Sequence, residues 1–98
     1  MKIKIHKSYR DVVAICDKNL LGKKFEQGNL QLDVKESFFN GKDVSEEEAM
    51  EIIIDMAKED ATFNIIGPKS VKTALKCGII KQEGIRTIQE IPFTLVLM

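Results

Sequence analysis

Cys16 and Asp17 stand side by side where an apolar run, Val12-Val13-Ala14-Ile15-Cys16, gives way to a polar turn. Strand ends are common places for reactive groups, so a thiol nucleophile is the first covalent chemistry this chain suggests. The pairing works against itself, because a neighbouring carboxylate raises a thiol's pKa and makes the thiolate scarcer. His6 is the only histidine, and any Cys-His or Ser-His device would have to use it. It lies beside Lys2 and Lys4 on an alternating segment, and nothing in the spacing sets Cys16 or Ser8 against it. Packing as a small hydrophobe accounts for Cys16 and, after Ala74-Leu75, for Cys77.

Metal and phosphate chemistry find little support. One His and two separated Cys do not supply the four ligands of a structural zinc site. Asp43 with Glu46-Glu47-Glu48 could hold a hard cation loosely, but acids at a helix start answer the helix dipole. Gly67-Pro68-Lys69-Ser70 opens a helix, where free amides bind phosphate in many folds. It lacks the earlier glycine of a P-loop, and Pro68 removes one amide, so helix initiation suffices to explain it. No cofactor or metal is expected, and an enzyme built on Cys16-Asp17 is the minority reading.

The stronger signal is charge. The formal net charge of the 98 residues is zero. Residues 1–24 carry seven Lys/Arg against Asp11 and Asp17, residues 25–60 carry three Lys against eleven Asp/Glu, and residues 61–98 carry five Lys/Arg against two Glu. The chain is basic, acidic, basic, and such asymmetry steers partners. Lys2, Lys4, Lys7, Arg10, Lys23 and Lys24, with Tyr9 available to stack on a base, are the candidate nucleic-acid-binding residues. If Ile3 and Ile5 face inward, Lys2, Lys4 and His6 line one open face of the first strand. The glycine–aromatic signature of common RNA-binding sheets is absent.

These residues need a scaffold. Met1, Ile3 and Ile5 alternate with polar residues, and Val12 to Cys16 is a central-strand run, so the two predict an antiparallel hairpin. Asp17 is expected to cap a short turn through Leu20-Leu21, ended by Gly22. Leu30, Leu32 and Val34 alternate as an amphipathic strand after the turn Gln27-Gly28-Asn29. Phe38-Phe39, if extended, puts one ring in the core and the other on a surface or interface, and Asn40-Gly41 is a turn. Ser45-Glu46-Glu47-Glu48 is a capping box, and Ala49, Ile52, Ile53, Met56 and Ala57 predict a helix near 45–60. Thr62 to Ile66 reads as a short strand or linker. Pro68 begins a second helix with Val71, Ala74 and Leu75 buried, stopped by Gly78. Ile85–Gln89 and Phe93–Met98 are late strands. Strands before and after two helices predict one α+β domain over 1–98, with a mainly antiparallel or mixed sheet.

A chain of this length buries a modest core without disulfides or metal. Its two unpaired cysteines suit a reducing cytoplasm. MKIKIHKSYR is no signal peptide, and no apolar run could span a bilayer. The order VVAICDKNLLGKKFEQGNLQLDVKESFFNG, VSEEEAMEII, FNIIGPKSVKTALKCGII resembles the short archaeal proteins catalogued as domain of unknown function 424. The features that carry the resemblance are Cys16-Asp17 before Leu20-Leu21-Gly22, Glu36 to Phe39 with Gly41, and Ile66-Gly67 before the second helix. It implies an archaeal, soluble, single-domain protein and brings no reaction or ligand. The family pattern has Pro-His-Ala near the end where this chain has Pro92-Phe93-Thr94, which weakens an enzymatic reading. The expected function is therefore a non-enzymatic binding module, with RNA or an RNA–protein assembly as partner. A homo-oligomer joined through the apolar C-terminal strand is a third reading.

Overall fold

The computed structural model describes residues 1–97. The fold is α+β, as expected. Strands β1 (Lys2–His6) and β2 (Val12–Cys16) form the antiparallel hairpin, with Ile3 opposite Ile15 and His6 opposite Val12. A short 3-10 turn then leads to a separate two-stranded ribbon, β3 (Lys24–Gln27) and β4 (Leu30–Asp33). A one-turn helix, α1 (Glu36–Phe39), and a two-residue strand, β5 (Lys42–Asp43), follow. The chain continues through α2 (Glu46–Lys58), β6 (Thr62–Ile66), α3 (Pro68–Cys77), β7 (Arg86–Ile88) and β8 (Ile91–Val96). The main sheet has the order β5-β1-β2-β6-β8-β7, with β2 and β6 parallel.

Alternation gives this sheet two faces. On one, Ile3, Val13, Ile15, Phe63 and Ile65 pack against Ala49 and Ile53 of α2 and Val71 and Ala74 of α3. On the other, Ala14, Cys16 and Ile66 meet Leu20, Leu32, Val34 and Phe39 from the ribbon and α1. The helices start as their sequences dictate. Ser45 Oγ accepts the Glu48 amide at 3.2 Å and Glu48 Oε1 accepts the Ser45 amide at 3.4 Å, a cap of about 1 kcal/mol. Gly78 ends α3 in the left-handed conformation, φ 76°.

Four expectations change and one open alternative is settled. Phe38-Phe39 is helical rather than extended: both amides bond the Lys35 carbonyl, which gives the fold a third helix. Leu30, at the tip of the ribbon, is exposed, while Leu32 and Val34 are buried as the alternation predicts. Gly41 is required for space rather than for a left-handed turn, since a Cβ there would overlap the Ile3 carbonyl. Of the two alternatives for Thr62–Ile66, the strand holds, at the centre of the sheet. The C-terminal strand starts at Ile91 rather than Phe93 and pairs inside the sheet, with β6 along Phe93–Val96 and with β7 only along Ile91–Phe93, so Thr94–Val96 have no strand partner on the β7 side. Met98, the last residue of the expected strand, is outside the described residues. No helix among the described residues is long and apolar enough to cross a membrane.

Candidate functional site

The parallel strands β2 and β6 end side by side, at Asp17 and Gly67, the rim where open α/β sheets place ligands. A hollow of about 400 Å³ lies there, lined in part by Asp17, Lys18 and Lys69. The chemistry of this rim goes into structure. Asp17 makes no side-chain cap to its own 3-10 turn. Its Oδ2 instead accepts the Lys69 amide at 3.1 Å, and its Oδ1 accepts the Ser70 amide and the Ser70 hydroxyl, each at 2.8 Å. Helix α3 has a glycine at its N-cap, and the carboxylate it lacks comes from Asp17, the residue after β2. Gly67 sits at φ 112°, and a Cβ there would lie 2.5 Å from Asp17 Oδ1, so only glycine fits. The anion position at the head of α3 is therefore filled by the protein's own carboxylate. Cys16 is fully buried, and its thiol is pushed up to about 11, by burial first and by the charge of Asp17 second. Burial likewise raises the Cys77 thiol. Both cysteines are free.

The six candidate cations are not brought to one surface. Lys2 lies opposite Asp43 in the β1–β5 register, and that carboxylate's ionised form is favoured first by its hydrogen bond from Lys18 and only in small part by Lys2. Lys4 Nζ donates to the Ser37 carbonyl at 2.9 Å. His6 is half-buried: its Nε2 bonds the Phe38 carbonyl at 2.9 Å, and its ring stacks on Phe38 with centroids 4.5 Å apart. A carbonyl only accepts, so Nε2 carries the proton. The face of β1 that alternation leaves open is thus roofed by α1, and two cationic-type side chains satisfy that helix's last carbonyls. Lys23 and Lys24 are exposed at the start of β3, past the C-terminal end of β2. Lys7 and Arg10 lie at the opposite end of β2, before Val12.

The turn at that end is ordered. Asp11 Oδ1 accepts the Ser8 amide at 3.2 Å and its Oδ2 accepts Lys7 Nζ at 3.2 Å. These two contacts, the amide first, hold the Asp11 carboxyl below its usual range. Ser8 Oγ donates to the Arg10 carbonyl. Between Lys7 and Arg10, Tyr9 is fully exposed, with 106% relative accessibility.

A second hollow, of about 510 Å³, opens over β6 on the ribbon-side face of the sheet. Leu32, Phe38, Phe39 and Ile66 line it with apolar surface. Asn64, from the middle of β6, lines it too. Its cross-strand neighbours are Ala14, fully buried, and Leu95, 56% exposed. The Asn64 carboxamide makes no hydrogen bond to another described residue, and its polar atoms reach solvent. The sequence reading passes over Asn64. The available signal is an amide interrupting Phe63-Asn64-Ile65-Ile66, since asparagine is a poor strand former. Among the described residues no group of three or more His, Cys, Asp or Glu is placed to hold a metal.

Residues 6–98 match the model of a family described as "Protein of unknown function (DUF424)". No curated protein matches the chain. The crystal structure of an uncharacterized conserved protein from Methanopyrus kandleri is similar, with a TM-score of 0.86 and 21% identity over 99% of this chain and 92% of that one. At that identity the likeness establishes the fold.

Proposed function

We propose that this chain, which belongs to the DUF424 family, is a non-enzymatic binding module whose partner is RNA. The observation that carries the reading is the β1–β2 turn. Tyr9 stands out from the fold with Lys7 and Arg10 on either side, on a loop fixed by Asp11. An exposed aromatic between cations offers a stacking surface and phosphate contacts in one place. A pre-ordered loop also loses little entropy on binding. The competing enzyme reading is disfavoured by the burial and raised pKa of Cys16 and by the three hydrogen bonds that occupy Asp17. Of the six cations expected from sequence, Lys7 and Arg10 are retained as contacts, with the exposed Lys7 exchanging its Asp11 partner for phosphate. Lys4 is tied to α1, and Lys23 and Lys24 serve only an RNA long enough to reach the other end of the sheet.

The test is fluorescence anisotropy with a labelled single-stranded RNA, beginning at low salt where the electrostatic contribution is largest. Binding should weaken with salt. The double variant Lys7→Gln/Arg10→Gln should lower the slope of log K against log salt by about 1.4, at about 0.7 per lost phosphate contact. Tyr9→Ala should weaken binding by about 1 kcal/mol without changing that slope. Absence of binding at the lowest salt overturns the proposal.

A further inference from the structure

We propose that the hollow over β6 receives a single unpaired adenine, its edge paired with the Asn64 carboxamide and its ring packed against Phe38. The inference rests on the RNA reading above for the source of the base, though not for the pocket itself.

Four observations carry it. First, β6 is bonded to β2 on one side and to β8 on the other, so its main chain has no ladder positions left for a guest strand. A ligand lying on this face is read by side chains alone, which suits a flat heterocycle better than an extended peptide. Second, at about 510 Å³ the hollow is within the range of small-molecule sites and has room for a nucleoside. Third, the one polar side chain on its sheet floor is a carboxamide without a partner among the described residues. A carboxamide presents a donor and an acceptor side by side, and adenine N6 and N7 answer that pair with two hydrogen bonds; uracil N3–H and O4 answer it too, but the larger purine ring gains more from stacking on Phe38. Solvation alone leaves unexplained why the centre of the central strand carries asparagine between Ala14 and Leu95, where a β-branched residue would pack better. Fourth, Phe38 is held in place. His6 stacks on it at 16° between ring planes, and Phe39 meets it edge-on at 77° with centroids 5.1 Å apart. An aromatic fixed before binding needs little ordering to stack.

The exposed side chains Lys35 and Ser37 at the mouth suit a phosphate and a ribose hydroxyl, while Asp33 on the same lining repels a phosphate and so favours the Lys35 side.

The experiment has two arms. In the first, adenosine and N6,N6-dimethyladenosine, which keeps the purine ring but has no N6–H donor, are titrated separately into the labelled protein while the side-chain amide resonance of Asn64 is followed by NMR. In the second, anisotropy compares binding of oligoadenylate and of its N6,N6-dimethyl counterpart by the wild type, Asn64→Leu and Asn64→Ser, each checked for an unchanged thermal transition. Adenosine should shift the Asn64 amide and the dimethyl nucleoside should not. The wild type should prefer oligoadenylate about tenfold, and both variants should lose that preference. Equal affinities in the wild type, a preference that survives in either folded variant, or an Asn64 amide indifferent to adenosine overturns this inference and leaves RNA binding through the turn standing. Adenosine entering the pocket while neither RNA binds upholds the pocket and overturns the RNA reading.

Discussion

Phe63 and Asn64 are neighbours in β6 and face opposite layers of the protein. Phe63 is fully buried under α2 and α3, in a layer whose sheet residues are Ile and Val. Asn64 faces a layer made of a short ribbon and a single helical turn, too small to cover the sheet. One face is closed by two helices that pack on it along their length; the other keeps a hollow, a half-buried His6 and an unpaired amide. On the function proposed above, stability and recognition are separated across one strand, so a change made for one need not disturb the other.

The sharpest way to break this contrast is to cut both neighbours. Phe63→Ala should lower stability by about 4 kcal/mol in urea unfolding, the loss expected of a large buried ring. Asn64→Leu should stay within about 1 kcal/mol, because it removes no protein hydrogen bond and adds apolar surface to an apolar face. Equal losses would mean that the two layers are equally structural.

Asp17→Ala comes next. It strands the Lys69 and Ser70 amides and the Ser70 hydroxyl at the buried head of α3, for a loss of about 3 kcal/mol, while Asp17→Asn keeps one accepting oxygen and loses less. Gly67→Ala should lose about 2 kcal/mol through its φ and its clash with the same carboxylate. Neither should alter ligand binding over β6. If either does, the two regions are coupled.

Cys16 gives a pH signature of the buried part of the ribbon-side layer. Its folded pKa is raised, so its contribution is complete below about 9 and is lost as pH climbs from there toward about 11. Thermal scans should show a decline in that window that Cys16→Ala lacks, and native Cys16 should react with a thiol reagent far more slowly than the unfolded chain. The smallest effect belongs to the exposed carboxylates. Asp11, Asp43, Glu46 and Glu48 all have lowered pKa values, from hydrogen bonds to Ser8, Lys18, Lys76 and Ser45 respectively, so they stabilise above the ordinary carboxylate range and cease to as pH falls through it. A shallow drop of the thermal midpoint on acidification is the expected trace, reduced by salt.

What could be read before the coordinates follows a physical rule. The β1–β2 hairpin, the Ser45–Glu48 cap and the Gly78 stop rest on contacts within a few residues, and local pattern reveals them. Asp17 was legible as a cap but not as the cap of α3, because its partners lie 52 and 53 residues away. The roof over Lys4 and His6 was hidden for the same reason: it is made by carbonyls 33 and 32 residues away, on a helical turn whose Phe38-Phe39 pair looks extended. The segregation of charge along the chain did not become one cationic surface, since β2 carries the lysines that follow it to the far end of the sheet. Asn64 became visible only when the sheet order put it at the centre of a face left partly uncovered.

The account depends on recognition taking place on the ribbon side of the sheet and at the β1–β2 turn. Backbone amide shifts recorded as unpaired, adenine-containing RNA is added at low salt test that directly. The predicted result is movement of Phe38, Asn64, Leu95 and residues 7–11 while α2 and α3 stay still. Shifts centred on α2 and α3, or no shifts at any RNA concentration, would contradict it.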